Sequence, residues 1–332
     1  MRELRPDFSL DESVLKSKSA LIEGLDSHRN LDRGEIRRKV EGSGGDFKRI
    51  SINDDAGVIR MLACDSSMIK RELRYHALWG LHTVVVYAEY DGGENSDPLV
   101  GEGTLPYREL KYESYVDFGV FIPYSDIEER ANALRVAREY SALLEVKDGL
   151  DADILLVDGS LYTNTANLQL RDNGSENSDA VDASRRLLSE KRVVGMVEDS
   201  HATDLSRSLG FNCTNTLLFD IALDPMEYVV DKRQGINVCY LKLPGKRMES
   251  LPSGESAPMT VRWEFNYDNF QEDLESLVSV WINDRDHIHP QVYPIRIADY
   301  LTRRIKVSGL VDRVVEENNL ELRYRDSREG VY

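Results

Sequence analysis

ILLVDGSL, residues 154–161, decides how this chain folds. Ile154 to Val157, with Ala152 before them, form a short apolar run that reads as a buried strand. The run ends on Asp158, with Gly159 and Ser160 directly behind it. A strand that delivers a carboxylate to its own end is either a plain Asp-Gly turn or part of a site. Gly159 lets backbone approach closely. Ser160 adds a hydroxyl able to bond a carboxylate or a phosphate.

Working outward, the sequence before this strand reads as a helix. DIEERANALRVAREYSALLEVKDG (126–149) has a cap at Ser125 or Asp126, acidic residues in its first turn and Gly149 to end it. Three strand-like runs precede the helix: VIRMLACDSS (58–67), LHTVVVYAEY (81–90) and YESYVDFGVFI (112–122). After residue 158 come a loop, a helix in AVDASRRLLSEKR (180–192), an apolar strand in RVVGMVEDS (192–200) and a short helix in HATDLSRSLG (201–210). Three early strands on short turns predict an antiparallel meander, and strands separated by helices predict parallel crossovers. The order is that of an RNase H-like mixed sheet flanked by helices, an α/β fold. Farther on, VVDKRQGINVCYLKL (229–243) and MTVRWEFNY (259–267) read as two strands around a loop. NFQEDLESLVSVWIND (269–284) reads as an amphipathic helix, with apolar positions for a core or an interface. IRIADYLTRRIKVSGLVDRVVEEN (295–318) supplies one or two helices. Residues 1–50 read as a polar, partly helical extension, with helix spacing in VLKSKSALIEGL (14–25). Residues 51–332 form the main domain.

In such a sheet the first and fourth strands are neighbours. Asp65 on the first and Asp158 on the fourth then stand side by side, and Glu139 on the intervening helix can reach them. Hard divalent cations favour such oxygen clusters. Two ions together can activate water and stabilise the leaving oxygen of a phosphodiester. Each acid alone also has a plain reading, as a turn, a cap or a solvated charge.

The net charge of −17 argues against a uniformly basic nucleic-acid binder but leaves room for local basic groups such as KRELR (70–74). There, Lys70, Arg71 and Arg74 either meet DNA phosphates or line a solvated helix face. Cys64, Cys213 and Cys239 are odd in number and lack CxxC spacing, which excludes a disulfide framework and a zinc knuckle and fits a reducing cytoplasm. No apolar leader or membrane-spanning run is read. Tyr75, Trp79, Phe118 and Tyr162 are candidates for stacking on bases or for the core. His287 and His289 form an i, i+2 pair. Asp199-Ser200-His201 imitates a hydrolase triad, but adjacent residues rarely form one and no GxSxG elbow accompanies it.

LACDSSM (62–68), ILLVDGSL (154–161), VVGMVEDS (193–200) and PIRIADYL (294–301), in this order, resemble the NurA family of nucleases that work with HerA-type helicases. The resemblance implies an RNase H-like nuclease that depends on Mn²⁺ or Mg²⁺, with two ions. It implies single-strand endonuclease and 5′ to 3′ exonuclease activity in double-strand break end resection. It also implies DNA and a hexameric HerA-type helicase as partners, and a homodimer. Asp65 and Asp158 match the family's acids, and Glu139, with Glu145 as the alternative, matches the helix acid. Asp299 stands where relatives carry a histidine, as a possible fourth metal ligand, with His289 or Tyr293 as weaker stand-ins. Glu198 stands where relatives often carry a lysine. These departures keep open a catalytically degenerate module that binds the helicase or DNA. A small-molecule phosphohydrolase is a more remote alternative.

Overall fold

The structure, a computed structural model, describes residues 31–52, 57–73, 76–91, 107–122, 126–161, 175–197, 201–245, 257–283, 289–304 and 307–318. In chain order the elements are α1 (Arg33–Gly42), β1 (Lys48–Arg49), β2 (Ile59–Glu72), β3 (Ala77–Tyr90), β4 (Tyr107–Phe121), α2 (Ile127–Lys147), β5 (Ile154–Asp158), α3 (Ser175–Leu188), β6 (Val193–Val197), α4 (Asp204–Ser208), α5 (Asn215–Ala222), β7 (Glu227–Arg233), β8 (Ile236–Leu243), β9 (Met259–Phe265), α6 (Gln271–Asn283), α7 (Tyr293–Arg304) and α8 (Val307–Glu317). The strands join one sheet in the order β1-β7-β8-β9-β6-β5-β2-β3-β4.

β2, β3 and β4 form the expected antiparallel meander, and β5 and β6 run parallel to β2 as crossovers. The order β4-β3-β2-β5-β6 is the RNase H-like core. β5 and β6 are buried along nearly their whole length, which is why their sequences are unbroken apolar runs. On one face Leu62, Cys64, Leu155 and Val157 pack with Val136, Tyr140 and Leu143 of α2. On the other, Met61, Ala63, Ile154 and Leu156 join a core with Trp263, Leu277 and Ile295. Alternation along β2 and β5 sends successive side chains to these two layers.

Several sequence expectations change. Residues 229–243 are not one strand but the hairpin β7–β8. Its turn is Gln234-Gly235, both at positive φ (48° and 83°), the two-residue turn that matches strand twist. β2 continues to Glu72, so Lys70 and Arg71 lie on a strand and not on a helix face. Asp126 precedes α2 in a left-handed conformation (φ 55°) and makes no side-chain cap bond, while Ser125 lies outside the described residues. The apolar positions of α6, Leu274, Leu277, Val278, Val280 and Trp281, are core. α1 and β1 tie residues 33–50 into the same body: Ile36, Val40 and Ile50 are buried, and β1 pairs with β7. The helix-spaced stretch 14–25 lies outside the described residues. Helix α5 has no counterpart in the sequence reading.

After Asp158 the chain turns at Gly159 (φ +106°) and folds over β6, with Gly159 N–H donating to the Met196 carbonyl at 3.0 Å. Gly195 is the floor of this turn. A Cβ there would meet the Gly159 carbonyl oxygen at 2.6 Å and Leu161 Cγ at 2.9 Å. Backbone cannot retreat as a flexible side chain can. Gly195→Ala is therefore expected to cost about 1–3 kcal/mol of stability, seen as a lower urea midpoint with unchanged slope.

Candidate active site

β2 and β5 are paired through Cys64↔Val157, so Asp65 and Asp158 are the next residues in register. Their Cα atoms stand about 5 Å apart, the spacing of neighbouring strands, and their side chains leave the same face. β5 stops at Asp158 while β2 runs on to Glu72. This leaves a notch at the carboxyl end of β5, the usual place for sites in crossover sheets.

Helix α7 and the segment before it hold both acids. Buried Thr302 donates from Oγ1 to Asp65 Oδ2 at 2.9 Å, with the Asp299 carbonyl also within reach at 2.8 Å. Buried Gln291 donates from Nε2 to Asp158 Oδ1. Thr302 is fixed in turn by buried His82 on β3, whose Nδ1 lies 3.0 Å from the Thr302 carbonyl. A carbonyl only accepts, so Nδ1 carries a hydrogen. Nε2 is 2.9 Å from Ser114 Oγ on β4.

Glu139 approaches from α2 on the other side of the sheet. It is buried, accepts from Ser66 Oγ, the residue after Asp65, and pairs with Arg135 Nη1 at 3.1 Å. Burial pushes its carboxyl up to about 7, against the opposing pull of Arg135 and with a further push from the Asp65 charge. Asp65 is also pushed above the usual carboxylate range by burial, with Thr302 opposing and Asp299 adding to the shift. The Arg135 guanidinium is held charged chiefly by Glu139, then by Asp65 and Asp158. Ser160 faces the opposite way from Asp158. Its hydroxyl donates to Glu264 at 2.9 Å, beside the buried Arg262–Glu264 ion pair.

The donor set fits a hard divalent cation. It consists of carboxylate oxygens, and two of its members are destabilised as anions by burial that a cation would relieve. Among the described residues, no three His, Cys, Asp or Glu side chains already converge on one point. Glu139 is turned toward Ser66 and Arg135 on the α2 side of the sheet, so to share an ion with the two aspartates it would have to leave both partners and reach past the end of β5.

The other residues singled out by sequence fall as follows. Asp299 is close enough for its charge to act on Asp65 and is paired with Arg303 Nη2 at 2.7 Å. Glu145 is exposed, so α2 offers Glu139 to the acids and not Glu145. Lys70 pairs with Glu128, and Arg71 grips Asp312 with two nitrogens. Trp79 packs against Phe121, whereas Phe118 is exposed. Tyr293 stacks on Tyr107 with Arg296 over its ring. His289 accepts through its carbonyl from Trp281 Nε1. Arg74, Tyr75, Tyr162, Glu198, Asp199, Ser200 and His287 lie outside the described residues. Sequence reasoning missed Arg135, Thr302, Gln291 and His82. Arg135 could have been found one turn before Glu139, and Thr302 one turn after Asp299. Gln291 and His82 carried no such signal.

An RNase H-like sheet with two aspartates in register and a buried helix acid defines an acidic-centre α/β protein. The NurA domain matches residues 59–304, and the chain belongs to the NurA family. In fold it is similar to the NurA nuclease from Sulfolobus solfataricus, at 14% identity over 95% of this chain and 98% of that one, with a TM-score of 0.59. It is also similar to NurA with manganese, at 11% identity over 95% and 99% of the two chains and a TM-score of 0.55. NurA bound to dAMP and manganese matches at 10% identity over 91% and 97%, with a TM-score of 0.53. No curated protein sequence matches.

The Glu139 shift has a definite sign. From its ordinary 4.5 up to about 7 the native state keeps a proton that the unfolded chain releases, so stability falls as pH rises through that window. Above it the whole penalty remains, about 3 kcal/mol. In EDTA, Glu139→Gln is expected to stabilise the protein by about 1–3 kcal/mol at pH 8, and by less at pH 5. Urea unfolding at the two pH values measures this, and an equal gain at both would contradict the assignment.

Proposed function

We propose that this protein is a metal-dependent deoxyribonuclease that hydrolyses phosphodiester bonds. It acts on single-stranded DNA as an endonuclease and on duplex ends in the 5′ to 3′ direction. Its setting is double-strand break end resection in the cytoplasm, beside a hexameric HerA-type helicase. The observation that carries the reading is the register of Asp65 with Asp158 at the carboxyl end of β5, inside a NurA-family sheet. The solved relatives include NurA with manganese and NurA bound to dAMP and manganese, which favours Mn²⁺. Mg²⁺ is the alternative metal in this reading, and the number of ions it takes is two. Among the described residues no helix is long and apolar enough to cross a membrane.

Asp65, Glu139 and Asp158 would hold the ions, with Asp299 as a fourth oxygen donor. Such ions, when bound, lower the pKa of water and offset charge on the phosphodiester. The rest falls to this chain's own groups. Thr302 and Gln291 each fix one carboxylate oxygen, Asp65 Oδ2 and Asp158 Oδ1, and so orient the two acids. Lys70 and Arg71 lie on the extension of β2 past the notch, where they would meet the strand's phosphates after exchanging Glu128 and Asp312, with Arg74, outside the described residues, as a third candidate. Burial of Asp65 and Glu139 keeps water from screening the charges that develop there.

The homodimer draws support from β4. This edge strand exposes Leu110, Tyr112, Val116, Phe118, Val120 and Ile122 on one face, with Tyr112 62% and Ile122 69% exposed. A long apolar edge of this kind is usually covered. A second copy fits it, and Tyr112→Lys with Ile122→Lys is expected to turn a dimer into a monomer in light scattering after gel filtration, with the fold retained.

A second reading, a binding module without catalysis, is favoured by two observations: among the described residues no three acids converge on one point, and Asp299 is tied to Arg303. Labelled single-stranded DNA with Mn²⁺, with and without a cognate helicase, separates the two. Wild type is expected to cleave, and Asp158→Ala to lose about 100-fold or more. A folded wild type inert with every metal and partner would establish the binding module.

A further inference from the structure

Among the described residues, Arg135 is the cation paired with Glu139 of the acidic centre. It lies one turn before Glu139 on α2, with its side chain 36% exposed. Nη1 is 3.1 Å from Glu139 Oε1, and Nη2 donates to Asn132 Oδ1 on the same helix at 3.4 Å. Of the three acids it bonds Glu139 alone, and the charges of Asp65 on β2 and Asp158 on β5 also help to keep it protonated. Neighbouring cations are committed elsewhere: Lys70 to Glu128, Arg71 to Asp312 and Arg303 to Asp299.

A guanidinium paired with Glu139, close enough for the charges of Asp65 and Asp158 to act on it, does part of what a divalent ion would do there. It offsets their mutual repulsion, and it competes with an ion for Glu139. Its hold is loose, because both bonds go to its own helix and one is at the limit of hydrogen-bond length. To share an ion with the aspartates Glu139 would have to leave Ser66 and Arg135, and that movement would break the ion pair. The freed fork, 36% exposed, would then be available to an anion. A planar guanidinium matches two phosphate oxygens as an ammonium does not.

We propose that Arg135 is an exchangeable counterion and a further catalytic residue: it neutralises Glu139 while the centre is empty of metal and moves to the phosphate of the bound strand when a divalent ion takes that carboxylate. This rests on the nuclease reading above. It predicts two effects of opposite sign from one substitution, which a merely structural role cannot produce.

The test compares wild type, Arg135→Met and Arg135→Lys. Mn²⁺ affinity is measured without DNA by calorimetry, and kcat and KM are measured on a labelled single-stranded oligonucleotide. Arg135→Met should bind Mn²⁺ about 3- to 10-fold more tightly, while kcat/KM falls about 100-fold. Arg135→Lys keeps the charge but loses the fork. It should bind Mn²⁺ like wild type and still lose about 10-fold in kcat/KM, and it serves as the folded control if Arg135→Met is unstable. Unchanged or weaker Mn²⁺ binding by Arg135→Met, or full activity in Arg135→Lys, overturns the assignment of Arg135 alone. A wild type that neither binds Mn²⁺ nor cleaves DNA overturns the nuclease reading, and this proposal with it.

Discussion

The parallel pairing of β2 with β5 is the constraint on which the site depends. Cys64 opposite Val157 sets Asp65 opposite Asp158, and a slip of one residue would send one aspartate into the apolar layer beneath α2. That register is secured by burial on both faces. Leu62, Cys64, Leu155 and Val157 belong to one core and Met61, Ala63, Ile154 and Leu156 to the other, so each alternative pairing loses apolar contact on two sides. The packing that stabilises the sheet thus also brings two like charges together, against their repulsion.

The means of tolerating that repulsion are local and come from distant parts of the chain. Thr302 supplies a hydroxyl hydrogen to Asp65, Gln291 an amide to Asp158, Ser66 a hydroxyl to Glu139, and Arg135 a full positive charge. These groups reduce the cost of buried carboxylates without cancelling it, since Asp65 and Glu139 both remain shifted upward. A centre of this kind is poised for a cation and is not at its own electrostatic optimum.

What the sequence disclosed follows from the range of each interaction. Strand type and crossover order were legible, and Asp65, Glu139 and Asp158 could be placed on their elements, because these are written in short-range pattern: an apolar run for β5, alternation for β2, helix spacing around Glu139. The Gln234-Gly235 turn was legible in principle and was read through, because apolar residues on both sides masked a two-residue reversal. α1 and β1 were read as an extension, since two residues of strand, Lys48 and Arg49, carry no periodicity. The groups that orient the acids were hidden for a different reason. Thr302 meets Asp65 across 237 residues of sequence and Gln291 meets Asp158 across 133. A threonine or glutamine inside a helix-like stretch looks the same whether it faces water or a carboxylate.

The dependence of Asp65 on Thr302 also has a temporal side. A chain emerging from the ribosome completes β2 and β5 long before α7 exists. Until the last helices dock, the two aspartates lie beside each other without their hydrogen-bond donors, and the face that α7 will cover is open. The sheet can therefore form while its chemistry cannot, and the centre is finished only when nearly all of the chain has been made. Completion of the centre is thus delayed, because fragments stalled before residue 302 carry the acids but not the frame that aims them.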